Sequence, residues 1–341
     1  MKHIICCGCS FTRQYKRFNL DGTESDFLED SISQRKWPHY LSNELNSNEY
    51  IVYNLGSPTN DNSVIRKTII WKINELLKNG INVEDIQVLA QWSSWQRNSF
   101  FISKKHSEEF STNINNTNDI NKYAHISDFI KNKKENGEFG YYLLTGGAQI
   151  DHVPYKIKKL VNEYYLNFFN VEDCLIRFFE NILFLQNYLE NKKIKYLCFN
   201  LQNNFSKEYT AKDGFPHLYN SEKEIYKSMY IDKYIINTIN NDINIKYDNE
   251  YIDHLFEQIN FNNFWFLKNE KTLYGGLMEW AVKNYNMEED KNETGMWMEW
   301  SSIDINKLKY ELDVNQKWPV GHPSNKMNEL FVKQELLTKI I

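Results

Sequence analysis

Short apolar, β-compatible runs recur along this chain, and between them apolar residues return at helical spacing. Ile4 to Cys7, Ile51 to Leu55, Ile86 to Ala90 and Lys195 to Phe199 each read as a strand. Val64, Ile65, Ile69, Ile73, Leu76 and Leu77 share one face of a helix between the second and third runs, which Asn79-Gly80 ends. Val171, Cys174, Leu175, Phe178, Ile182, Leu185 and Leu189 do the same before the fourth. Strands alternating with helices require right-handed crossovers and a mostly parallel sheet covered on both faces. The expectation is a three-layer α/β/α domain with a five-stranded sheet.

The remaining elements are placed less sharply. Trp37-Pro38-His39-Tyr40-Leu41 opens a short helix, with Pro38 in its first turn. Ile243 to Tyr247 is the choice for a fifth strand. Met327, Leu330 and Phe331 mark a closing helix between Ser324 and Leu337. Residues 98–170 read as an insertion over the sheet, with Gly146-Gly147 turning a hairpin between Tyr141-Tyr142-Leu143-Leu144 and Ile150. A second irregular insertion runs over 201–315, and the whole of 1–341 reads as one domain.

In such a sheet ligands bind beyond the carboxyl ends of the strands. Ser10, Gly56 and Ser93 each follow an expected strand and therefore converge on one edge. Ser10 sits in Gly8-Cys9-Ser10-Phe11-Thr12. Far along the chain, Gly321-His322-Pro323-Ser324 supplies a loop histidine. A serine hydroxyl is a weak nucleophile until a base takes its proton, and histidine is the usual base near neutral pH.

These segments resemble the sequence blocks of the SGNH, or GDSL-type, hydrolases. Gly8-Cys9-Ser10-Phe11 is similar to the Gly-Asp-Ser-Leu block, Gly56 to the glycine of the second block, and Gly321-His322-Pro323 to the end of the Asp-x-x-His-Pro block. The resemblance implies ester hydrolysis with Ser10 as nucleophile and His322 as base, most plausibly O-deacetylation of a carbohydrate or related ester, without a cofactor. It implies an oxyanion site made by the Ser10 and Gly56 N–H groups. Two departures stand out. Pro319 replaces the aspartate, and Gln91-Trp92-Ser93-Ser94-Trp95 replaces Gly-x-Asn-Asp, leaving Ser93 at the position of the oxyanion asparagine. Trp92 and Asn62 complete the expected oxyanion and substrate-binding set. Trp92, Trp95, Trp297 and Trp300 offer faces for sugar rings or pack insertions onto the core. The departures favour an alternative reading, a non-catalytic module of the same fold that recognises a glycan or a protein partner.

Composition excludes other classes. The formal net charge of the 341 residues is −5, and no dense basic patch invites nucleic acid. Mean hydropathy is −0.64, and no long apolar stretch suggests a membrane span. The first strand begins at the N-terminus, so no signal peptide is expected. Cys6, Cys7, Cys9, Cys174 and Cys198 fall in elements expected to be buried, which reads as reduced thiols in a cytosol-like compartment. Cys6-Cys7-Gly8-Cys9 has Cys-x-x-Cys spacing, a weaker pointer to redox chemistry. The histidines show no ligand spacing, so no metal is expected. Abundant Asn, Lys and Ile reflects the coding bias of an AT-rich genome, such as a phage's, and carries no functional signal.

Overall fold

The computed structural model describes residues 1–9, 12, 36–56, 60–95, 97–102, 141–145, 168, 170–201, 204–205, 249–267, 276–284, 323 and 325–340. Five strands form one parallel sheet: β1 (Lys2–Cys7), β2 (Tyr50–Asn54), β3 (Ile86–Trp92), β6 (Lys195–Asn200) and β7 (Phe264–Trp265), in the order β2-β1-β3-β6-β7. This is a doubly wound order, with its switch point between β1 and β3. There the crossovers leave to opposite faces, and it is at the carboxyl ends beside such a point that doubly wound sheets bind ligands.

Period-two alternation sorts the side chains of each strand between two cores. Ile5, Cys7, Val88, Ala90, Trp92, Tyr196 and Cys198 face α2 (Asn62–Lys78), α3 (Val171–Asn191) and α4 (Glu250–Glu257). Ile4, Cys6, Leu89, Leu197 and Phe199 face α1 (Trp37–Glu44), α5 (Leu277–Asn284) and α6 (Asn325–Phe331). The molecule is thus a three-layer α/β/α structure. α6 runs on through a π-helical turn, Val332–Leu336, into Leu337–Ile340. That turn carries Glu335, which accepts from Trp265 Nε1 and Trp280 Nε1, both at 2.9 Å, and so joins β7, α5 and α6.

Local chemistry explains the element ends. Asp61 caps α2 by accepting from Val64 N, and Asn170 caps α3 by accepting from Asp173 N. Gly80 leaves α2 at φ 82°, in the left-handed region that glycine tolerates.

The fifth place in the sheet belongs to Phe264–Trp265, while Ile243–Tyr247 lies outside the described residues. β5 (Tyr141–Thr145) is a strand. It pairs antiparallel with β4 (Asn98–Ile102) in a separate two-stranded sheet, and Gly146-Gly147 lies outside the described residues. Among the described residues no helix is long and apolar enough to cross a membrane.

Candidate functional site

Ser10 and His322 lie outside the described residues, as do Trp297 and Trp300. Their neighbours in the chain are placed, and a continuous set of hydrogen bonds connects them. As the chain leaves β1, Thr12 N donates to Cys9 O at 3.0 Å, so it turns back within four residues. Thr12 Oγ1 donates to Gln91 Oε1 at 2.6 Å and accepts from Trp37 Nε1 at 3.3 Å. Trp37 N in turn donates to Asn328 Oδ1 at 3.1 Å, and Asn328 Nδ2 donates to Pro323 O at 3.0 Å. Cys9 and Thr12, which bracket Ser10 in the sequence, and Pro323, which follows His322, therefore belong to one hydrogen-bonded framework.

The backbone approach at Gly8 is close. A Cβ there would stand 2.7 Å from Gln91 Oε1 and would strike Thr12 Oγ1. Glycine is required by space rather than by φ. Asn60 Nδ2 donates to Gly8 O at 3.0 Å and fixes that peptide from the loop before α2.

The oxyanion expectations divide. Gly56 N–H, expected to face the oxyanion, donates instead to Asn54 Oδ1 at 3.1 Å in a side-chain turn. The same carboxamide donates through Nδ2 to Thr12 O at 2.9 Å. Asn62 is likewise turned inward: Oδ1 accepts from Ser93 N at 2.8 Å, and Nδ2 donates to the Ser93 and Ser94 carbonyls at 3.2 and 3.4 Å. It positions the loop after β3 rather than presenting itself to a substrate. Ser93 sits where expected, just past β3. It is fully buried, and its Oγ has no hydrogen-bond partner. Trp92 is corrected outright. It is the last residue of β3, and the alternation Val88, Ala90, Trp92 turns its ring into the core beneath α2 and α3 at 0% exposure. Trp95 packs into the same core. Neither ring offers an open face.

Several polar residues of this edge were not assigned a role from the sequence: Thr12, Lys36, Asn54, Asn60, Gln91, Asn200, Asn204 and Asn328. A signal did exist for Asn54 and Asn200, since each ends an apolar strand on a carboxamide. Lys36 immediately precedes α1 and is fully buried. Burial pushes its ammonium down to about 7 against a small opposing influence of Cys9, which also places it beside the β1 turn.

The five cysteines are buried and form no disulfide. Burial raises Cys6 well above the usual thiol value and pushes Cys174 and Cys198 up to about 12, so these three are protonated thiols at neutral pH. Among the described residues no group of three His, Cys, Asp or Glu side chains is arranged to hold a metal ion. No protein-family model matches the chain, and neither a curated protein nor a solved structure matches it.

Proposed function

We propose that the chain is a serine ester hydrolase that removes an acyl group, such as acetyl, from a carbohydrate or related alcohol. Ser10 is the nucleophile and His322 its base. The observation that carries this reading is the hydrogen-bonded framework from Cys9 and Thr12, through Trp37 and Asn328, to Pro323. It joins Cys9 and Thr12, which bracket Ser10 in the sequence, to Pro323, which follows His322, and Cys9 lies just past β1 at the edge where doubly wound sheets bind ligands. The order of the SGNH-like blocks in the sequence supports the same roles.

In the proposed reaction Ser10 Oγ attacks the ester carbonyl as His322 takes its proton. The tetrahedral intermediate collapses, the alcohol leaves with that proton, and water activated by His322 then releases the acid from the acyl-serine. The Ser10 N–H and the buried Ser93 hydroxyl are the candidate oxyanion donors, one such donor being worth about 3 kcal/mol. Gly56 N–H would join them only if Asn54 released it.

The engaged Gly56 N–H and Pro319 in place of an acid favour the second reading, a non-catalytic module that binds a glycan or protein. A fluorophosphonate probe and p-nitrophenyl acetate separate the two. The hydrolase reading expects labelling at Ser10 and losses of roughly a thousandfold in kcat for Ser10→Ala and His322→Ala. The double variant should be little worse than either. Cys9→Ala should keep the rate. Absence of labelling and turnover in folded wild-type protein would leave the binding module.

A further inference from the structure

Toward the amino end of the sheet lies a cluster of ionisable side chains that the hydrolase reading does not use. His3, on β1, is buried at 6% exposure. The alternation that turns Ile5 and Cys7 toward α2 puts His3 on the same face. Its Nδ1 is hydrogen-bonded with Tyr53 Oη at 2.9 Å, and the two rings lie within 10° of parallel. Tyr53 belongs to β2 and stands opposite Ile5 in the register. From α2, Lys72 Nζ sits 4.1 Å from the centre of the Tyr53 ring and pairs with Glu75 at 3.0 Å. β1, β2 and α2 therefore meet through one imidazole, one phenol and one ammonium.

β2 is the strand that depends on this contact. It ends the sheet order and, among the described residues, pairs with β1 alone. An edge strand has half of its backbone groups outside the ladder, so side-chain contacts carry more of its attachment. Tyr53 also adjoins Asn54, whose carboxamide holds Gly56 N and Thr12 O. Whatever loosens Tyr53 acts one residue from the hold on the turn after β1.

The surroundings of His3 resist a proton. Burial is the chief obstacle, the chain-terminal ammonium and Lys72 add to it, and Asp85 opposes them, so the imidazole sits below its ordinary value. Asp85 is itself engaged by Lys2 at 2.7 Å. Burial pushes the Tyr53 phenol up, and Glu75 adds to that, so it stays neutral. His3 is thus the member of the cluster whose charge changes below neutrality. An imidazolium formed there must either keep its charge out of water or leave its place.

We propose that His3, Tyr53 and Lys72 form an acid-responsive latch on edge strand β2, closed while His3 is neutral and released as it takes up a proton. The inference stands apart from the hydrolase reading and holds whether or not the chain turns over an ester. Its sign follows from linkage. The open form binds the proton more tightly, so the closed form is fully favoured above about 6.5, the value of a solvated histidine. Below that it loses up to about tenfold for each pH unit, until the value of the closed form is reached.

The test follows amide hydrogen exchange by NMR in the full-length protein from about pH 4.5 to 7.5, each rate corrected for intrinsic exchange at that pH. Protection of the β2 amides should fall below about pH 6.5 by up to about tenfold per pH unit, while that of the central strand β3 holds. His3→Gln offers Tyr53 a hydrogen bond but takes up no proton, and should make β2 protection flat. Lys72→Met removes a cation that opposes the imidazolium and should shrink the total fall. It serves as the second variant should His3→Gln fail to fold. The Asn54 carboxamide protons should shift along the same curve. Flat β2 protection in the wild type, a fall that survives His3→Gln, a fall shared equally by β3, or a fall that Lys72→Met does not shrink overturns the latch. An Asn54 carboxamide that stays fixed while β2 opens overturns its reach to Thr12.

Discussion

Replacing Lys36 by methionine should flatten this protein's stability profile on the alkaline side of neutrality. Methionine keeps an unbranched chain of similar length and removes the charge. Lys36 is fully buried, and its ammonium is displaced from 10.5 to about 7, chiefly by burial. That displacement corresponds to about 5 kcal/mol of preference against the charged form. The sign follows from proton linkage. Between about 7 and 10.5 the unfolded chain holds this proton and the folded chain does not, so stability rises with pH across the window. The penalty is absent above about 10.5, grows as pH falls, and is complete below about 7. The difference between Lys36→Met and wild type should therefore move by several kcal/mol toward wild type between pH 7 and pH 10.5, on top of a pH-independent offset from the contacts that the lysine makes. Urea unfolding at intervals from pH 6 to 10.5 measures it, and taking the difference cancels every other titrating group common to both proteins. Curves that run parallel across the window would refute the reasoning.

Other expectations rest on the same geometry. Gly8→Ala pushes a methyl group into the Thr12–Gln91 hydrogen bond and should cost ~3 kcal/mol, read by thermal or urea unfolding. Glu335→Leu leaves the Trp265 and Trp280 indole N–H groups without their acceptor and should cost roughly 2–5 kcal/mol, whereas Glu335→Gln, which retains one acceptor, should cost less. Asn328→Ala severs the tie between Pro323 and Trp37. It should lower stability by about 1–3 kcal/mol and, on the hydrolase reading, lower kcat for p-nitrophenyl acetate more than it raises KM. A variant that lost stability but kept kcat would confine Asn328 to structure.

Four strands were legible in the sequence because each is a mostly apolar run of five or so residues bounded by polar segments. β7 was not, because it is only two residues long and lies within an aromatic stretch. There Phe261, Phe264 and Phe266 pack on Phe205 with ring centroids 5.9 Å apart in each pair. Nothing in a run that short separates strand from loop. Trp92 is a different kind of miss. Val88 and Ala90 already assign its face, and carrying the alternation two residues further would have put its ring in the core. Gly56 is a third kind. Topology brings it to the correct edge, but the direction of its N–H depends on Asn54 two residues earlier, through a side-chain turn that asparagine commonly makes.

The asparagines of this edge also show why carboxamides, rather than charged groups, hold it together. One carboxamide can accept at one end and donate at the other, so a single side chain ties two backbone groups of opposite polarity without burying a charge. Asn54 joins Gly56 N to Thr12 O, Asn62 joins Ser93 N to the carbonyls of Ser93 and Ser94, and Asn328 joins Trp37 N to Pro323 O. Asn60 and Asn204 each brace one carbonyl, of Gly8 and Ser93, through Nδ2 and leave Oδ1 unpartnered. Asn200 is as deeply buried as any of them and braces nothing. If the edge were only a structural seam, Asn200 would be its weakest choice, because an apolar residue of similar size would remove the desolvation cost at no loss of hydrogen bonds. That contrast, between five carboxamides that hold backbone and one that does not, predicts that Asn200→Leu keeps or raises Tm in thermal unfolding, and a clearly lowered Tm would show that the amide does brace the edge.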